Sequence, residues 1–279
     1  MPKSIRNLLF GPAGVPNCSE KKDTISGIKK VKEIGLDCME MEFVYGVRIK
    51  DDQAEEIKKV SEELNVVLTA HGPYYINLNA KEKSKAERSI KMIVDTAKIC
   101  YLAGGWSITF HPAWYMRKPR EEVYRTVKEN LKKAVKEILD NGYDVWIRPE
   151  TMEMTNKFGD LDEVIRLSLE IENVLPCIDF AHLRYRFGWN SEKDFRYILE
   201  RIEKDLGKEA LKNMHIHISG IKLDKKGTHV NLEESDMKWK EILKILKEFG
   251  VEGVIISESP NLEEDAILMK NYWKSLEKD

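Results

Sequence analysis

The stretch "MHIHIS" (214–219) sets two histidines two residues apart inside an apolar run. Its isoleucines and its strict alternation read as a β-strand, with His215 and His217 on one face and Met214, Ile216 and Ile218 on the other. Seven further runs are built alike: "NLLF" (7–10), "CMEMEFV" (38–44), "VVLTAH" (66–71), "SITFH" (107–111), "DVWIRPE" (144–150), "LPCID" (175–179) and "GVIISE" (253–258). Between them lie amphipathic helical patterns, including 51–64, 82–101, 120–141 and 236–248, with Gly35, Gly142 and Gly250 near helix C-caps. Strands that alternate with helices across a chain of 279 residues predict a (β/α)₈ TIM barrel, a single domain over residues 1–279. A doubly wound sheet is the main competitor, but no GxGxxG or Walker loop follows any strand.

Composition narrows the function classes. The 46 basic and 48 acidic residues give a net charge of −2, so no global basic field advertises nucleic-acid binding, although a local basic patch could serve. Cys18, Cys38, Cys100 and Cys177 are scattered without CxxC spacing, three of them in apolar context, and read as small core residues. The N-terminus lacks a signal-like apolar core, and no run approaches the ~20 apolar residues of a membrane span. An intracellular, cytoplasmic protein is expected. Lys and Glu dominate the charged residues and Gln53 is the only glutamine, a composition that suits a thermophile.

The polar residues cluster by position. His71, His111, Glu150, Asp179 and Glu258 each close a predicted strand, and His217 lies two residues from the end of another. In a parallel barrel those ends converge on one mouth, where active sites are built. Any one of them alone reads as a satisfied core or rim residue; six together read as a metal site. Histidine and carboxylate donors without cysteine suit zinc, manganese or iron. His215, one layer deeper, is either a partner of a ligand or an ordinary buried histidine. Alternation places Arg148 on the face of Glu150, and Glu40 beside Glu42. The expectation for these three is an internal ion-pair network.

At these residues the chain resembles the endonuclease IV family of abasic-site endonucleases, within the xylose-isomerase-like barrels. The segments that carry the likeness are "AHGPYYINL", "FHPAWY", "RPETME", "CIDFAH", "HISG" and "SESP", in the family's order over about 70–260, with "FGPAGVP" and "GLDCMEMEFVYGV" similar to archaeal members. The resemblance implies two or three zinc ions, with manganese possible. His71, His111 and Glu150 would hold one. Glu150 as a bridge, with Asp179, His217 and Glu258, would hold the second, and His182 with His229 the third. It implies hydrolysis of the phosphodiester 5′ to an abasic site in double-stranded DNA, with Glu150 and Asp179 orienting the attacking hydroxide, by a protein expected to be monomeric. Tyr74, Tyr75, Trp114, Tyr115, Arg117, Lys118, Arg184 and Arg186 flank the ligand motifs and become candidate DNA contacts. The bland reading of those aromatics is that they close the barrel top over its own core.

The chain departs from the family pattern in places. Gly227 and Thr228 precede His229 where the bacterial pattern has Asp-x-His, and Asp224 or Asp236 is the candidate substitute. "TMEM" follows Glu150 in place of small residues, and Trp114 stands where a glycine-rich turn is common. Single-metal sugar isomerases and epimerases of the same fold are the rival class, because Glu150, Asp179, His217 and Glu258 would satisfy them too. They do not require His71 and His111. A barrel that binds damaged DNA or a sugar without turnover would predict a missing central ligand, yet Glu150 and Asp179 are present.

Overall fold

Parallel strands covered by helices outside and filled by side chains inside must be apolar on the outer face, while the inner face is free to carry chemistry. The computed structural model describes residues 4–276 and shows that division throughout. Its barrel strands are β1 (Leu8–Pro12), β2 (Cys38–Glu42), β3 (Val67–His71), β4 (Ser107–Phe110), β5 (Trp146–Pro149), β6 (Cys177–Asp179), β7 (Met214–Ile218) and β8 (Gly253–Ser257). These are the eight runs read from the sequence, with ends shifted by a residue or two.

The strands pair in parallel as two arcs, β1–β8–β7–β6 and β2–β3–β4–β5. Bridges from Ala13 to Glu40 and from Glu150 to Cys177 join the arcs into a closed (β/α)₈ ring. At the β1–β2 seam the backbones approach closely. A Cβ added to Gly11 would lie 1.8 Å from the Cys38 carbonyl oxygen, so only glycine fits there.

Outward residues such as Met39, Leu68, Ile108, Ile147, Ile178 and Ile216 pack into the main hydrophobic core beneath the helices. Inside, the base of the barrel is plugged by Cys38, Trp106, Val254 and Ile256, with Leu9, Val67 and Trp146 against them. Above that plug the interior turns polar, with Glu40, Thr69, Ser107, Arg148 and His215 all fully buried.

Arg148 corrects one expectation. No carboxylate is paired with it among the described residues. Its guanidinium donates to Ser107 Oγ (3.2 Å), the Pro176 carbonyl (3.3 Å) and Asn213 Oδ1 (2.6 Å), and lies 4.8 Å over the Trp106 ring. Neutral acceptors and an aromatic face stabilise the buried cation, so Glu40 and Glu42 are left for the mouth.

The helices follow the expected patterns: Asp51–Leu64, Lys83–Leu102, Arg120–Asp140 and Trp239–Glu248. The last starts later than its periodicity suggests, because Ser235 Oγ accepts from Met237 N and Asn190 Oδ1 from Lys238 N, which holds that segment in a turn. Gly35, Gly142 and Gly250 each take positive φ just past a helix end. Cys38, Cys100 and Cys177 are buried and Cys18 is exposed, all four as free thiols. Among the described residues, no helix is long and apolar enough to cross a membrane.

Candidate metal centre

Strand geometry delivers the ligands. β3, β4, β5, β6, β7 and β8 end at one rim of the ring, and His71, His111, Glu150, Asp179, His217 and Glu258, each at or beside one of those ends, meet in the mouth. Glu150, fully buried at the end of β5, is the centre of the cluster. Its Oε2 lies 3.1 Å from His71 Nε2 and 3.4 Å from His111 Nε2; its Oε1 lies 3.2 Å from His182 Nδ1 and 3.4 Å from His217 Nδ1. One carboxylate thus faces four imidazoles.

Asp179 is both the last residue of β6 and the N-cap of the helix Phe180–Phe187. Its Oδ1 accepts from His182 N at 2.6 Å, which satisfies a helix-terminal donor and fixes His182 in the first turn. The "DxxH" spacing is therefore a cap that places two donors on one centre. His229 arrives differently, on a two-residue strand (His229–Val230) antiparallel to Gly220–Ile221, as β7 is followed by a hairpin that folds back over the mouth. His229 Nε2 lies 3.2 Å from His182 Nε2, and its Nδ1 lies 3.5 Å from Glu258 Oε2.

Three overlapping groups result, each with ligand atoms within 4.8 Å of one another: His71, His111 and Glu150; Glu150, Asp179, His217 and Glu258; Asp179, His182, His229 and Glu258. All eight ligands expected from the sequence are brought together. A further group, Cys177, His215 and His217, lies buried inside the barrel.

The donors fit a divalent transition metal in kind, being nitrogen and oxygen atoms. They also fit in orientation. His71 Nδ1 lies 2.8 Å from the Gly72 carbonyl and His182 Nδ1 2.8 Å from the Thr151 carbonyl, so each Nδ1–H is bound and each Nε2 lone pair is left for a cation. Glu150 Oε1, Asp179 Oδ2 and His217 Nδ1 are buried and lack a hydrogen-bond partner.

The charges agree. Burial alone would raise the Glu150 pKa, but His111 and His217 hold it well below the usual carboxylate range. Burial pushes Asp179 up to about 8 against the pull of His182. It opposes charge on His71 and His182, yet Glu150 with Glu42 raises the first to about 10, and Asp179 with Glu150 raises the second to about 10. The cluster binds protons tightly, and a divalent cation would neutralise the same carboxylates.

Beneath the mouth, Glu40 joins the two histidines of β7. Its Oε1 lies 3.0 Å from His217 Nε2 and its Oε2 3.0 Å from His215 Nε2, while Thr69 Oγ1 donates to Oε2 at 2.7 Å. His215 Nδ1 continues the chain to Ser107 Oγ at 2.7 Å. Glu40 thus draws His217 Nε2 downward and presents Nδ1 to the mouth, and His215 braces Glu40 from below. The sequence shows both glutamates but not which one reaches across the barrel to His217.

The cluster opens into a cavity of about 440 Å³ lined in part by Tyr74, Glu42, Glu153 and Lys157. Tyr74 and Tyr75 are exposed at its edge, the Tyr74 ring 6.1 Å from that of His111. Arg117 is exposed, and Lys118 pairs with Glu122 at 3.0 Å. Trp114 is half-buried, 5.0 Å under the Lys157 ammonium. Other candidate contacts are engaged within the fold. Tyr115 is buried and donates to Glu163 at 2.6 Å, so it belongs to the core rather than the mouth. Arg186 donates to the Met152, Met154 and Lys157 carbonyls, and Arg184 pairs with Asp236 at 2.7 Å. Asp224 accepts from Lys226 N, Gly227 N and Thr228 Oγ1. Neither aspartate therefore replaces the missing Asp of the Asp-x-His pattern. Glu153 and Lys157 escaped the sequence reading because one sits in a bend and the other on a two-residue strand (Lys157–Phe158), both too short to show periodicity.

A family model for xylose isomerase-like TIM barrels matches residues 28–275. The chain belongs to the xylose isomerase-like TIM barrel family. Within it, an uncharacterized protein of Methanocaldococcus jannaschii is 41% identical over 273 residues, 96% of this chain and 98% of that one. A probable endonuclease 4 of Aquifex aeolicus is 26% identical over 229 residues, 77% of this chain and 78% of that one. Among solved structures, endonuclease IV from Thermus thermophilus superposes with a TM-score of 0.75 at 16% identity, covering 98% of this chain and 100% of that one. A D-tagatose 3-epimerase-like protein gives 0.74 at 18% identity, covering 95% and 96%. The endonuclease IV likeness seen in the motifs thus stands, and the fold is common to both solved structures.

Proposed function

We propose that the protein is a metal-dependent phosphodiesterase that hydrolyses the bond 5′ to an abasic site in duplex DNA. The observation that carries this reading is Glu150, one carboxylate shared between the His71–His111 group and the Asp179–His217–Glu258 group. A single-ion isomerase needs only the second set. Two ions ~3.5–4 Å apart, zinc or manganese by donor type, would supply a hydroxide and stabilise the leaving oxygen. The chain's own part is to hold that pair through Glu150, to fix the imidazoles through Glu40, Gly72 and Thr151, and to orient the attacking oxygen with Glu150 and Asp179. Tyr74 and Tyr75 offer faces on which bases beside a missing nucleobase stack, and Arg117 and Lys118 offer charge to phosphates. Curated relatives named probable endonuclease 4 support the reading.

The test is incision of a duplex that carries one tetrahydrofuran abasic analogue, with and without prior chelation. That analogue resists β-elimination, so the expected chelator-sensitive cut, leaving a 3′-hydroxyl, requires hydrolysis. Intact duplex after treatment with folded, metal-replete protein would overturn the reading. It would favour the alternative that the self-contained Glu150–Asp179–His217–Glu258 set suggests, a single-metal sugar epimerase, for which ketoses are the substrates to try.

A further inference from the structure

The third ligand group lacks the carboxylate that position 227 would carry, and the opposite wall of the cavity holds one that nothing above uses. Glu153 is buried, with 7% of its surface exposed, and lines the cavity beside His182, Gly227 and His229. Its Oε1 accepts from Lys157 Nζ at 2.7 Å; its Oε2 is buried and has no hydrogen-bond partner. Two imidazole nitrogens, His182 Nε2 and His229 Nε2, face each other nearby at 3.2 Å, the spacing of two ligands on one ion.

Positions 153 and 227 compete for one space. A Cβ added to Gly227 would stand 3.2 Å from Glu153 Cγ and 3.2 Å from the Tyr185 ring, both tighter than ordinary packing. The two positions therefore cannot both carry an acidic side chain without a shift. We propose that Glu153 supplies the carboxylate of the His182–His229 ion site in place of the acid absent at 227, with Lys157 as the counter-ion that holds its other oxygen. Glu153 lies outside the groups already drawn within 4.8 Å, so ligation turns its side chain inward across the space that Gly227 leaves open. The inference rests on the multi-ion centre proposed above.

The experiment is a count of zinc bound per chain, by elemental analysis after chelation and reloading, for wild type, Glu153→Ala, Glu153→Gln and the double variant Glu153→Ala/Gly227→Asp. Glu153→Ala and Glu153→Gln are expected to bind one ion fewer than wild type. The double variant is expected to regain it where the Tyr185 ring, 3.2 Å from a Cβ at 227, gives by a few tenths of an ångström, since aspartate tolerates the positive φ there (+64°) and Glu153 no longer fills the space. Circular dichroism confirms that each variant folds. An unchanged count in both single variants overturns the assignment of Glu153. A wild-type chain that saturates at a single ion overturns the multi-ion centre itself, so the two failures are distinct.

Discussion

Glu40 shows how a side chain that need not touch substrate can govern those that do. Fully buried, it sits 3.0 Å from both His217 and His215. Loss of such a partner typically costs ~10–100-fold in metal affinity or activity. Glu40→Ala should weaken zinc binding by about that factor in a competition titration with a chromophoric chelator, while Glu40→Gln, which keeps shape and one acceptor, should lose less. Equal affinity for wild type and Glu40→Ala would show that His217 needs no such brace. At this scale the sequence was legible where a residue type and its strand position sufficed. His71, His111 and Glu258 announced themselves as strand-closing donors, and His217 as an inward one. Glu40, Arg148 and Tyr115 did not, because their partners lie 28 to 177 residues away, across the ring or under a neighbouring loop.

Among elements, the junction of β6 with the helix Phe180–Phe187 carries two duties on one side chain. Asp179 caps the helix by accepting from His182 N, and its Oδ2 faces the mouth. The duties separate by substitution, since asparagine caps a helix about as well as aspartate and alanine does not. In the metal-free state Asp179→Asn should melt above Asp179→Ala, by roughly 1 kcal/mol of stability. Both should bind zinc more weakly than wild type. Equal melting of the two variants would remove the cap from the account. Strands and helices were readable because alternation and 3.6-residue periodicity extend over whole elements. Asp224 and Asp236 misled because each carboxylate is engaged elsewhere, Asp224 by local backbone N–H groups and Asp236 by the distant Arg184 guanidinium, which spacing does not reveal.

For the whole molecule, the clustered charges couple stability to pH. His71 and His182 titrate near 10 when folded, above the ordinary histidine value of about 6.5. Their contribution is therefore complete below pH ~6.5 and lost as the pH climbs towards 10. Asp179 and Glu42, raised by burial to about 8, hold protons that the unfolded chain sheds above about pH 4, so they too weaken the fold up to pH ~8. The lowered pKa values of His111 and His229 act only at more acid pH. The metal-free protein should thus lose melting temperature steadily from pH 6.5 to 10, and saturating zinc should flatten that slope, as differential scanning fluorimetry with and without chelator will show. A metal-free melting temperature that rises over this window would mean that the cluster does not hold its charge as protons.

The hairpin that carries His229 gives the centre a natural order of assembly. Glu150, Asp179, His217 and Glu258 hang from the ring itself, whose strands cannot part without unfolding the barrel. His229 hangs from a ladder two residues long, which can fray while the ring stays closed. Ions held by the ring should enter first and leave last, and the outermost one should exchange fastest. A lineage that drops or reshapes that one hairpin would lose the outermost site alone and keep both donor groups that Glu150 joins, so the hairpin is free to vary without touching the pair on which the proposed hydrolysis depends.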